Sequence, residues 1–363
     1  MNIVDVLLVV GGLVVLVGGG ELLVRGASGL AVRLGLSPLV IGLTVVAFAT
    51  SAPELAVTID ATLGGEPDLA VGNVVGSNIA NVLFILGASA IVLPLTVKAQ
   101  LVRLDLPILV GVSALLLALA TDGTVTAGDG ALLLAIIVGY TALALVLGRR
   151  QADPSPADTD QQRIERALWM QLAAVAVGVA LLVVGARLLV DGAVGIATGL
   201  GVSSLVIGLT VVALGTSMPE LATSLVAARR GERDLAVGNI VGSGIFNICV
   251  VLGLAGVISA DGVPVAPAAV ALDIPLMIAA AVALLPVAFT GLAIARWEGV
   301  LFMAFYVAYT AYVLLAATEH DALEGFTAVM LWFTLPLAAL TLIVLASFEA
   351  GRRRGSGHPI VPR

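Results

Sequence analysis

The chain has 363 residues, 60% hydrophobic and 11% charged, with a formal net charge of −7. Soluble domains carry about a quarter charged residues, so this composition excludes a soluble globular protein and predicts a polytopic membrane protein. The acidic balance argues against nucleic acid as a partner. The single cysteine, Cys249, rules out an intrachain disulfide, and His320 and His358 form no Cys/His metal spacing.

Apolar stretches of about 17–25 residues can span a bilayer. In chain order they fall near 3–24, 37–63, 69–94, 104–121, 128–148, 167–190, 203–228, 234–259, 268–290, 298–317 and 326–348, which predicts eleven helices. The first lacks a basic leading region and a clear cleavage site, so it reads as a retained helix and not a signal peptide. Between the fifth and sixth helices lies one polar linker, 149–166, rich in Asp, Gln and Pro.

Basic residues set the expected topology. They follow the odd-numbered helices: Arg25 and Arg33, Lys98 and Arg103, Arg149 and Arg150 with Arg163 and Arg166, Arg229, Arg230 and Arg233, Arg296, and Arg352 to Arg354. The even connections carry no Lys or Arg. This places the N-terminus outside and the C-terminus in the cytoplasm. Five helices per half then make the second half enter from the opposite side, an inverted-topology repeat. The repeat is visible in the residues. Positions 39–89 align with 205–255 at a constant offset of 166, and 31 of 51 are identical. The fold expected is all-α: two inverted five-helix repeats forming a ten-helix core, plus one extra C-terminal transmembrane helix. The units are a first membrane repeat (1–148), a cytoplasmic linker (149–166), a second repeat (167–318), the extra helix (319–350) and a basic cytoplasmic tail (351–363).

Each half places a carboxylate inside a helix that should be purely apolar. The segments read GLTVVAFATSAPELA, with Glu54, and GLTVVALGTSMPELA, with Glu220. A charge at bilayer depth is costly and usually marks a functional site. Thr50 and Ser51 share a face with Glu54, and Thr216 and Ser217 share one with Glu220. Pro53 and Pro219 lack an N–H, so each helix should break and free nearby carbonyls. Hydroxyls, carbonyls and carboxylates together suit a hard cation such as Ca²⁺. The next helices, GNVVGSNIAN and GNIVGSGIFN, place Asn73, Ser77 and Asn81, and Asn239, Ser243 and Asn247, on one stripe each. Asn73 and Asn239 read either as structural or as site residues. The glycines at 72, 76, 238 and 242 read as helix-packing positions. Asp105 and Asp273 read as helix-start residues. Glu21, beside Arg25, reads as structural or snorkelling.

These motifs resemble the two alpha-repeats of the cation/calcium exchanger superfamily, in particular its prokaryotic sodium/calcium antiporters. The paired motifs occupy 37–94 and 203–259, and the resemblance covers about residues 1–318. It implies that Glu54 and Glu220 are shared Ca²⁺ and Na⁺ ligands and that the carbonyls of Thr50 and Thr216 complete the Ca²⁺ shell. It implies flanking Na⁺ sites from the Ala47 and Ala213 carbonyls with Ser51, Ser217, Ser77 and Ser243. Asn81 and Asn247 would line the centre. Asn73, Asn239, Pro53, Pro219 and Asn78 would support it. Helices 1 and 6 would form a sliding gate. Three features depart from the pattern. Asn247 stands where several relatives carry an acid, Gly244 replaces the counterpart of Asn78, and helix 11 exceeds the ten-helix core.

The function expected is a secondary antiporter in the plasma membrane of a prokaryote, exchanging Na⁺ for Ca²⁺ by alternating access. No enzyme activity, cofactor, nucleic acid or obligate protein partner is expected; the partners are the two ions and the lipid bilayer. A proton-coupled antiporter for Ca²⁺ or another divalent cation is the nearest alternative. A passive cation channel is a distant one, since channels usually build their filters by oligomeric symmetry. An intramembrane hydrolase would need a nucleophile with a base, and Ser51 and Ser217 have no His or Lys at hand.

Overall fold

The computed structural model describes residues 2–150 and 168–356. The linker expected at 149–166 and the tail expected at 351–363 therefore lie largely outside the described residues. Helices make up nearly all of the described residues. Among the described residues, nine are long and apolar enough to cross a membrane, and one bent pair makes a tenth. We number them α1 (Ile3–Leu34), α2 (Pro38–Thr50 and Ala52–Gly64, bent by 44°), α3 (Pro67–Val92), α4 (Leu101–Asp122), α5 (Ala127–Leu147), α6 (Leu168–Gly199), α7 (204–229), α8 (Arg233–Ile258), α9 (Ala269–Phe289), α10 (Arg296–Ala317) and α11 (Ala322–Glu349). The short helical pieces of α7 occupy in the second half the place that α2 occupies in the first.

α1 runs ten residues past its expected end, so Arg25 and Arg33 sit on the helix and not in a connection. Nothing in RGASGLAVRL stops a helix. Termination waits for Gly35, which takes the left-handed conformation (φ 64°) that glycine adopts freely, and Leu36 N–H then bonds the Ala31 carbonyl at 2.9 Å. α6 likewise runs on to Gly199.

α1 and α6 pack antiparallel along their full length. Glycines every seventh residue make this possible: Gly12, Gly19 and Gly26 on one helix, Gly178, Gly185 and Gly192 on the other. A Cβ on Gly19 would lie 2.9 Å from the Gly178 carbonyl oxygen, and one on Gly26 would lie 2.9 Å from that of Gln171. The two backbones are in direct contact. Small residues allow such approach where lipid tails give no hydrophobic drive to association.

Two short ribbons fix the relation between the halves. β1 (Leu95–Thr96), after α3, pairs antiparallel with β4 (Ala293–Ile294), before α10. β2 (Thr124–Val125), after α4, pairs with β3 (Val263–Pro264), after α8. Each ribbon joins the connection after a half's third helix to the connection after the other half's fourth. This pairing is what two oppositely oriented repeats allow. An ion pair, Lys98 Nζ to Asp234 Oδ2 at 3.1 Å, places the α3–α4 and α7–α8 connections together as well. The α1–α2, α3–α4, α7–α8 and α9–α10 connections thus share one face, the basic face.

Asp105 and Asp273 correct the expectation of helix starts. Neither side chain caps a helix. Each ends a widened π turn, Leu101–Asp105 or Ala269–Asp273, inside its helix. Asp105 accepts a hydrogen bond from the Tyr140 hydroxyl at 3.1 Å, tying α4 to α5. Asp273 accepts one from Tyr309 at 3.4 Å, tying α9 to α10. α11 packs on α9 and leaves an apolar cavity of about 730 Å³, lined by Leu276, Phe302, Phe305, Met330 and Leu342 among others.

Candidate ion site

The site forms where two broken helices meet two crossing ones. α2 breaks at Ser51 (φ −81°, ψ 6°) and α7 at Ser217 (φ −87°, ψ 4°). Pro53 and Pro219 explain the breaks. Without an N–H they cannot bond the carbonyl four residues back, and their rings clash with the preceding turn. A π turn precedes each break, Gly42–Val46 and Gly208–Val212, and others widen α3 (Ala80–Leu86) and α8 (Asn247–Leu252). Such turns often occur at functional sites.

Glu54 and Glu220 each begin the second segment of their helix, and both are fully buried. Glu54 Oε1 accepts from Ser217 at 3.4 Å and from Ser77 at 3.5 Å. Glu220 Oε1 accepts from Ser51 at 3.4 Å. The serine of each break therefore serves the glutamate of the other half. The second carboxylate oxygens, Glu54 Oε2 and Glu220 Oε2, have no hydrogen-bond partner, nor do Asn81 Oδ1, Asn247 Oδ1 and Thr216 Oγ1. Buried polar atoms are normally satisfied, so this many unpartnered oxygens in one region call for a ligand. No third Asp, Glu, His or Cys joins the two glutamates among the described residues.

The amides divide by role. Asn73 donates to the Glu54 carbonyl at 3.1 Å and to Thr58 Oγ1 at 2.9 Å, bracing the second segment of α2. Asn239 donates to Ser224 at 3.1 Å and accepts from Thr50 Oγ1 at 3.0 Å. Both are held by protein. Asn78 pins the α3–α8 crossing: its amide donates to the Gly244 carbonyl at 3.1 Å, and Asn247 donates back to Asn78 Oδ1 at 3.2 Å. Gly244 suits this position, because a Cβ there would meet Leu109 Cδ1 at 3.0 Å. The side-chain amide of Asn81 has no hydrogen-bond partner on either atom.

Thr58 and Ser224 were missing from the sequence reading. They are hydroxyls one turn past each glutamate, equivalent at the offset of 166, and that match was the available signal.

The two halves are not alike in shape. At the basic face the start of α2 lies against α8. A Cβ on Gly42 would sit 2.6 Å from the Leu235 carbonyl oxygen, one on Gly238 2.7 Å from that of Leu39, and one on Gly242 2.7 Å from Leu43 Cα. Their equivalents at the opposite face, Gly208, Gly72 and Gly76, have nothing within 4 Å. The packing expected of all four GxxxG glycines thus holds for Gly238 and Gly242 only. Ala47 is buried, whereas Ala213 is exposed. The Ala47 carbonyl receives Ser51 N–H at 3.0 Å, while Ser217 N–H bonds the Leu214 carbonyl at 3.2 Å and leaves that of Ala213 aside. Thr50 bonds Asn239 and approaches Ser243 at 3.3 Å; Thr216 Oγ1 has no partner. The helices around the site are tightly packed toward the basic face and loosely packed toward the opposite one.

Comparisons with known proteins agree with this architecture. A family described as "Sodium/calcium exchanger protein" matches residues 4–146 and 170–315. The sodium/calcium exchanger MaX1 of Methanosarcina acetivorans is 33% identical over 345 residues, covering 85% of this chain and 98% of that one. The inner membrane protein YrbG of Escherichia coli is 39% identical over 264 residues, covering 71% and 81%. The sodium-calcium exchanger NCX_Mj, in a structure soaked with zero Na⁺ and Ca²⁺, superposes with a TM-score of 0.73 at 31% identity, covering 86% of this chain and 100% of that one.

Proposed function

We propose, from the premise that this chain belongs to the sodium/calcium exchanger protein family, that Glu54 and Glu220 are the ligands for which Na⁺ and Ca²⁺ compete. Family and fold make the protein a multi-pass membrane antiporter for cations including Ca²⁺; coupling to Na⁺ and the identity of the ligands are the finer reading. One observation carries it. Two buried carboxylates from oppositely oriented broken helices converge, and each keeps an oxygen without a protein partner.

Two glutamates supply a formal charge of −2, which one Ca²⁺ balances. Asn81, Asn247 and Thr216, together with carbonyls freed at the breaks, supply neutral oxygens, and Ca²⁺ takes six to eight. Ser51, Ser217, Ser77 and Ser243 and the Ala47 and Ala213 carbonyls flank the pair and serve Na⁺. Both ions need the same carboxylates, so each excludes the other. Uncompensated carboxylates are costly at bilayer depth, so access switches only when the site is loaded.

The basic face is cytoplasmic by the excess of Arg and Lys in its connections. The N-terminus is then outside, and the loosely packed side of the site, the side of access in this state, faces outward. Switching inward exchanges the shapes of the two halves: the start of α7 closes on α3 as the start of α2 leaves α8.

Equilibrium Ca²⁺ binding to the purified protein, titrated with Na⁺, tests the shared site. Na⁺ should lower apparent Ca²⁺ affinity competitively. Glu54→Gln and Glu220→Gln should each weaken Ca²⁺ binding by about 30-fold or more, the effect of removing one member of a buried charge set. Ca²⁺ binding indifferent to Na⁺, or intact in both variants, would overturn this reading.

A further inference from the structure

At the basic face the α1–α6 pair is tied by charge to α7. Arg230, at the end of α7, donates through Nε at 2.8 Å and also through Nη2 to Oε2 of Glu21 on α1. Arg25, one turn along α1, approaches the same oxygen at 3.3 Å. Beside this pair Gly20 lets α1 lie on α7. A Cβ there would reach the Ala222 carbonyl oxygen at 3.3 Å and Val226 Cγ2 at 3.4 Å. Lys98 and Asp234 add a second ion pair on the same face.

The repeat offers a built-in control. At the offset of 166 the counterparts of Glu21 and Arg230 are Arg187 and Gly64, and those of Lys98 and Asp234 are Pro264 and Asp68. Neither ion pair can form in mirror image. The steric seats are duplicated, with glycines at 42, 238 and 242 matched by those at 208, 72 and 76, but the charges are not. These two ion pairs therefore break the symmetry of the fold at the basic face.

We propose that Glu21 and Arg230 form a latch that holds the basic face shut and favours the state open to the opposite side. This rests on the alternating-access reading above. The pair joins α1, which packs on α6 of the other half, to the helix whose other end must move. It breaks when α1 slides off α7, and no equivalent pair forms afterwards, so the two access states are unequally populated without any ion gradient. Both partners are partly exposed, 26% for the Arg230 side chain and 37% for that of Glu21. Pairs of this kind shift an equilibrium by about two- to fivefold, not by orders of magnitude.

Amide hydrogen exchange on the full-length protein in nanodiscs, with no ion gradient, reads the latch without relying on transport. Glu21→Gln and Arg230→Gln should each speed exchange about two- to fivefold at 38–46 and 233–242, on the basic face. Exchange at 204–212 and 67–76, on the opposite face, should slow. Arg230→Lys keeps the charge and should stay near wild type. Gly64→Glu, placed in open space as the counterpart of Arg230, offers Arg187 a carboxylate and should shift exchange the opposite way. The latch is refuted if both neutralising variants leave the two faces unchanged. It is also refuted if they speed exchange equally on both faces, which is the signature of a general brace. Loss of competition between Na⁺ and Ca²⁺ in the binding experiment would sink the functional reading alone, since the exchange asymmetry needs neither ion.

Discussion

Glycines at equivalent places in the two halves should respond oppositely to the same substitution. Gly238→Ala puts a methyl group 2.7 Å from the Leu39 carbonyl oxygen, a backbone atom that cannot rotate away. Gly72→Ala, its counterpart, puts the same methyl in open space. Overpacking of this kind costs about 1–3 kcal/mol, which corresponds to about a 5- to 150-fold change in a two-state equilibrium. Gly238→Ala should therefore shift the protein away from the state described, and Gly72→Ala should hold it there by obstructing closure of the opposite face. Spin-label distances across each face, measured with and without Ca²⁺, read the two populations. Equal shifts in the same direction from Gly238→Ala and Gly72→Ala would refute the reasoning, because only an asymmetric molecule separates them.

Two further substitutions test the packing that positions the site. Asn78→Ala removes an amide that bonds the Gly244 carbonyl and Asn247 across the α3–α8 crossing. It should lower stability by about 1–3 kcal/mol, the cost of leaving buried polar groups unsatisfied, read as a reduced melting temperature. Unchanged melting would contradict the role given to this crossing. Gly19→Val cannot be accommodated beside the Gly178 carbonyl oxygen; it should separate α1 from α6 and abolish transport while leaving membrane insertion intact. Transport at the wild-type rate would show that the close α1–α6 contact is dispensable.

Much of this was legible in the residues, for a physical reason. A carboxylate in an apolar segment is so costly that Glu54 and Glu220 stand out, and a duplicated motif at constant offset shows which segments are equivalent. Pro53 and Pro219 announce the breaks, because no context restores a missing N–H. Other features depend on what meets what. Asp105 resembles a helix start in sequence, but α4 begins earlier and the carboxylate turns to Tyr140, 35 residues away. Basic residues suggest a connection soon after residue 24, but only Gly35 has the conformation that stops α1. Glu21 and Arg230 are 209 residues apart, with no pattern to join them. Identical stretches such as GLTVV could not reveal which of two equivalent crossings is closed; that difference lies in packing alone.

Sodium-loaded proteoliposomes diluted into sodium-free medium with radioactive Ca²⁺ test the central claim most directly. The account predicts Ca²⁺ uptake that requires the Na⁺ gradient and disappears in Glu54→Gln. Uptake driven by a pH gradient and indifferent to Na⁺, or uptake that persists with no counter-ion gradient, would contradict it.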